Sequence, residues 1–96
     1  MYLEIYKGQH QIHRQDDPNP YLLLGWLRYL DGENITTLII ASPTVKLNLN
    51  AHGDEINLSF SGEGMPNDRN VTVSRAAAVE MALHFLKNGG LPRESE

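Results

Sequence analysis

The residue types best suited to chemistry in this chain are its four histidines and the acids near them. His10-x-x-His13 is followed by Asp16 and Asp17, and imidazoles with carboxylates form the donor sets of many zinc sites. The spacing argues against a shared ion, because residues three apart on a strand point to opposite faces and nothing around them reads as helix. A solvated loop without metal is the expectation. His52 lies beside Asp54 and Glu55 at a turn, where a carboxylate can hold an imidazole, but no nucleophile is close in sequence. His84 lies four residues from both Glu80 and Asn88 in a helical stretch, a spacing that suits local surface pairing. None of Ser42, Ser59, Ser61, Ser74 and Ser95 has the strained turn of a nucleophile elbow. Gly62-Glu63-Gly64 runs into Pro66 rather than a helix, so it does not read as a phosphate cradle. These patterns point away from catalysis, and the chain is expected to be no enzyme and to need no cofactor.

The elements that must position these residues are drawn from 96 residues, 41% hydrophobic and 21% charged, a globular composition. A chain this short buries roughly two thirds of its unfolded surface, enough for one modest core. One domain over residues 1–92 is expected, with 93–96 as a mobile polar tail. Without cysteine there is no disulfide, thiolate metal site or cysteine nucleophile. The N-terminus does not read as a secretory signal, and the most apolar run, 21–30, is too short to cross a bilayer. A cytoplasmic protein without membrane contact is expected.

Tyr2 to Tyr6 reads as a first strand ended by Gly8. Gln9 to Pro20 reads as a loop, or as a short edge strand followed by one. Residues 20–31 admit two readings. Asn19 as N-cap, Pro20 at the first helical position and Gly32 past the end describe a helix. Tyr21, Leu23 and Leu27 with an Asp31-Gly32 turn describe a strand of a hairpin leading into 35–41, and the aromatic residues tilt the reading that way. Residues 35–41 form a central strand, broken off by Pro43.

Val45, Leu47, Leu49 and Ala51 alternate with polar residues, as do Ile56, Leu58 and Phe60. A Gly53-Asp54 turn sets Ala51 opposite Ile56, Leu49 opposite Leu58 and Leu47 opposite Phe60, with every apolar side chain on one face. The other face holds Lys46, Asn48, Asn50, Asn57, Ser59 and Ser61, either solvated or a hydrogen-bonding platform for a partner. After the loop 62–70 and a short strand, Val71-Thr72-Val73, Ser74 caps a helix over Arg75 to Asn88, closed by Gly89-Gly90 and Pro92. Its stripe of Ala78, Met81, Ala82 and Phe85 should face the sheet, and Trp26 reads as core. The fold expected is α+β: an antiparallel sheet of five or six strands with the C-terminal amphipathic helix packed on one face.

Val71-Thr72-Val73-Ser74, the Ala-rich helix from Ala76 to Leu86, and the ending Asn88-Gly89-Gly90-Leu91-Pro92 resemble the closing segment of bacterial polymorphic-toxin immunity proteins. That family pairs with deaminase and nuclease toxins and includes contact-dependent growth inhibition immunity proteins. Gly25 to Gly32 is similar in style to its middle strand and turn, so the likeness spans about half the chain. Where the family carries a Trp shortly after the closing Pro, this chain has Arg93-Glu94-Ser95-Glu96. The resemblance implies stoichiometric neutralisation of a cognate toxin domain and transfers no individual binding residue.

Twelve acids against eight bases give a net charge of −4 with no basic patch, so nucleic acid is not an expected partner. A toxin acting on nucleic acid is typically basic, and carboxylates can imitate phosphate. The contact candidates are therefore Asp16, Asp17, Asp31, Glu33, Asp54, Glu55, Glu63 and Asp68. A monomer or weak homodimer is expected. The alternatives are an adaptor docking through the polar hairpin face, or a ligand-binding domain with a pocket lined by His10, His13 or His52.

Overall fold

The computed structural model describes residues 1–43, 45–62 and 70–88. Six strands, β1 (Tyr2–Lys7), β2 (His10–Asp16), β3 (Thr37–Ala41), β4 (Val45–His52), β5 (Glu55–Gly62) and β6 (Asn70–Ser74), form one sheet in the order β2-β1-β3-β4-β5-β6. Every neighbouring pair is antiparallel. Two helices, α1 (Pro20–Leu27) and α2 (Arg75–Asn88), complete the described fold. The α+β architecture with a C-terminal helix on the sheet agrees with the sequence pattern.

The period-two alternation determines the central hairpin. Ala51 pairs with Ile56, Leu49 with Leu58 and Leu47 with Phe60, the expected register. Gly53, at φ +60°, supplies the left-handed residue of the turn. Leu3, Ile5, Leu38, Ile40, Leu47, Leu49, Ile56 and Leu58 share the inner face, all fully or almost fully buried. Leu23 and Leu27 of α1 and Ala78, Ala82 and Phe85 of α2 close over them in a single core. Ser74 accepts a hydrogen bond from the Ala77 amide at 3.2 Å, which starts α2 where the sequence places it. The expected Gly89-Gly90 and Pro92 ending and the tail 93–96 lie outside the described residues.

Two expectations are corrected. Residues 20–27 are helix, not the strand towards which the aromatic residues tilted the reading. Asn19 is extended, its side chain accepts from the Leu22 amide at 2.9 Å, and Pro20 occupies the first turn, so local capping prevails over β propensity. Asp31-Gly32 is a turn, but of a loop that returns to β3 through a single Leu30–Ile35 bridge. Asp31 accepts from the backbone amides of Glu33 and Asn34, each at 2.8 Å, and Gly32 sits at φ +89°. The polar stretch after Gly8 takes the edge-strand alternative: β2 borders β1 and then gives way to the loop before α1.

Candidate functional site

The strand β2 carries a bulge. Ile5 pairs with His13 but Tyr6 pairs with Gln11, which leaves Ile12 as the extra residue, 48% exposed. The extra residue cancels the alternation that separated His10 from His13. His10 pairs with Lys7 and His13 with Ile5, two positions on one face of β1, so the register sets both histidines on the helix side of the sheet. His13 is half-buried, and its ring stacks on Trp26 of α1, centroids 5.1 Å apart and planes 29° from parallel. Trp26 is half-buried against the core and not enclosed by it. Among the described residues no group of three or more histidines and acids is arranged to hold a metal ion. His52 is exposed beside Asp54 and Glu55, and His84 is half-buried on α2.

The acidic candidates divide between opposite ends of the sheet. Asp16 and Asp17 lie where β2 ends beside the N-terminus, and the Met1 amino group is 3.9 Å from Asp17. Asp54 and Glu55 lie at the β4–β5 turn, the end to which the Asp31–Asn34 loop belongs, since a Cβ on Gly32 would stand 3.7 Å from that of Ala51. Asp31 is occupied by that loop: besides the two amides, its second oxygen accepts from the Asn34 side chain at 2.8 Å. The Asn34 amide, then that of Glu33, hold its carboxyl below the ordinary value of 3.8. Glu63 and Asp68 lie outside the described residues. The described acids therefore form no single surface.

The outer face of the sheet is a better-defined feature. No described element crosses it, and the registers align mostly polar side chains in rows across the strands. Gln11, Tyr6, Thr37, Asn50, Asn57 and Thr72 make one row. Within it Tyr6 donates to Gln11 at 3.1 Å, Thr37 to Asn50 at 2.8 Å and Asn57 to Thr72 at 3.2 Å. The next row runs Arg14, Glu4, Ile39, Asn48 and Ser59, and beyond it lie Asp16, Tyr2, Ala41, Lys46 and Ser61. Arg14 lies over the Tyr2 ring, 4.5 Å from its centroid. His52, Glu55 and Ser74 make a further row on the same face, so among the described residues three acids, Glu4, Asp16 and Glu55, stand against two bases, Arg14 and Lys46, and the face is close to neutral with one negative charge in excess. Its Asn48, Ser59 and Ser61 side chains make no hydrogen bond among the described residues, and their donors and acceptors stay available.

On the opposite layer α1 and α2 meet at an open groove of about 250 Å³ lined by Leu24, Leu27, Arg28, Arg75 and Val79. Arg75 is anchored there, donating to the carbonyls of Leu27 at 3.0 Å and Leu30 at 2.6 Å. The Leu27 carbonyl also accepts from the Leu30 amide at 3.3 Å, so Arg75 adds a second bond there and gives the Leu30 carbonyl, just past the helix end, a charged partner. The sequence reading missed this groove because it follows from α1 being helical. The available signal was the run Tyr21-Leu22-Leu23-Leu24, more apolar than one buried stripe of a short helix requires.

No family model matches the sequence, and no curated protein or solved structure matches it either.

Proposed function

We propose that this protein works by stoichiometric, cofactor-free binding to another protein, and that its partner is the toxic domain of a bacterial toxin acting on nucleic acid. The observation that supports docking is the outer face of the six-stranded sheet, which no described element crosses. Asparagine and serine there leave hydrogen-bonding groups free above a rigid ladder, which orders few side chains on binding and limits the entropic cost. The choice of partner rests on the resemblance of the closing helix to immunity proteins.

Calorimetric titration with a catalytically disabled toxin domain encoded immediately upstream of this gene tests the reading. A one-to-one complex of nanomolar affinity is expected, abolished by the double substitution Asn48→Lys and Ser59→Lys on the outer face. Absence of binding to that domain would refute toxin neutralisation. The near balance of charge on the outer face, three acids against two bases among the described residues, favours one further reading, an adaptor whose partner need not be basic. That adaptor would be recognised by a constitutive partner whose binding the same double substitution removes.

A further inference from the structure

The groove between α1 and α2 combines an apolar floor with a cationic rim. Its floor is Leu24, Leu27 and Val79, and its polar rim is formed by two guanidinium groups, Arg28 and Arg75, with no acid among the lining residues. Both described ion pairs lie elsewhere, and both Asp31 oxygens already accept hydrogen bonds within their own loop. In a chain of net charge −4, two arginines without an acidic partner beside an apolar floor make a local field of opposite sign. The apolar surface continues beyond the groove along α1. Tyr21 is 87% exposed and Tyr29 55%, and Leu22 and Leu24 lie partly open between them. Tyr21, Leu24 and Arg28 fall at i, i+3 and i+7, one side of the helical segment.

We infer that this groove, with the outer side of α1, receives a segment of a partner protein that presents a large apolar side chain next to a carboxylate. The apolar side chain fills the floor and the carboxylate meets the Arg28 and Arg75 guanidiniums, a pairing their donor geometry favours. A volume of about 250 Å³ falls short of the 300–1,000 Å³ typical of small-molecule sites, and the exposed tyrosines extend the apolar surface past it. A side chain on a larger surface fits both facts, and tyrosine and arginine are the residues on which such interfaces concentrate their energy. The inference rests on the reading of this chain as a protein-binding module and adds a second contact region, of opposite charge preference.

The test uses the full chain labelled with nitrogen-15 and two end-blocked peptides, acetyl-Glu-Leu-Phe-Glu-amide and its counterpart with Lys in place of both Glu. The acidic peptide at millimolar concentration should shift the amides of Leu24, Leu27, Arg28, Arg75 and Val79, and the lysine peptide should leave them in place. Arg28→Glu should weaken the acidic peptide about fivefold or more, since it reverses a charge that holds no structural bond. Equal shifts with both peptides, shifts confined to the sheet, or none at all would overturn the inference. Concentration-dependent shifts of the same amides without peptide would also overturn it, by assigning the groove to a second copy of the chain. The double substitution Asn48→Lys and Ser59→Lys separates the two readings, because it should abolish toxin binding and leave the peptide shifts intact.

Discussion

Replacing Arg75 with Met keeps most of the aliphatic stem and deletes the guanidinium that joins the start of α2 to the end of α1. Two hydrogen bonds are lost, to the carbonyls of Leu27 and Leu30, and each has a charged donor, a class worth about 1.5–3 kcal/mol. The Leu27 carbonyl keeps its bond from the Leu30 amide and the open groove lets water reach that of Leu30, so the loss should fall below the full sum, at about 2–4 kcal/mol. Against a total stability of roughly 5–15 kcal/mol this is a large fraction, and at this chain length it lowers the melting temperature by about 10–20 °C. Urea unfolding followed by circular dichroism gives the change directly if the slope stays that of the parent. Arg28→Met is the matched control: Arg28 lines the same groove but makes no described hydrogen bond from its side chain, so its loss should stay within about 0.5 kcal/mol. A loss below about 1 kcal/mol for Arg75→Met, or an equal loss for Arg28→Met, would refute the claim that Arg75 clamps the helices.

Asp31 makes a pH prediction. Its folded-state pKa is depressed, so its contribution to stability is present above the ordinary value of 3.8 and is lost as pH falls through the lower folded value. The urea midpoint of the parent should therefore fall more steeply than that of Asp31→Asn as pH is lowered from about 5 to about 2, and parallel profiles would contradict the assignment. His13→Ala should move the emission of Trp26, the one tryptophan, to longer wavelength and cost about 0.5–1.5 kcal/mol, because the indole loses the ring stacked on it. An unchanged spectrum would show that the two rings do not meet in solution.

The parts of this fold that were legible in sequence are those where one physical signal acts alone. Residues 45–61 alternate strictly about a Gly-Asp turn, and only one register buries every apolar side chain, so pairing, turn and inner face followed together. The capped helix after Ser74 was legible for a similar reason, since cap and apolar stripe agree. At residues 20–31 the signals conflict. An eight-residue helix shows barely two turns of periodicity, so the aromatic residues and the Asp-Gly pair outweighed the Asn19-Pro20 cap that the chain obeys. The His10/His13 relation was inverted by one bulged residue, which composition does not announce. The dispersal of the acids was hidden for another reason: β2 folds back on β1 at the sheet edge while β3 pairs on the other side, an ordering that depends on tertiary contacts.

The three surfaces differ in electrostatics, and that difference bears on how a partner is recognised. The acids at the two sheet ends would draw a basic partner from a distance, with a rate that falls as salt is added. The outer face is close to neutral and offers hydrogen bonds, so a complex formed there should lose little affinity across the same salt range. The helix groove is positive in an otherwise acidic molecule, and it would repel the basic surface that the acids attract. A single rigid partner covered in basic residues therefore cannot satisfy all three. Either the outer face dominates and charge only sets the approach, or the partner is itself divided, with a basic region against Asp54 and Glu55 and an acidic, apolar segment reaching the groove. Measured salt dependence of association and dissociation separates these cases. A steep effect confined to the association rate belongs to the first, and a salt-sensitive dissociation rate that Arg28→Glu also raises belongs to the second.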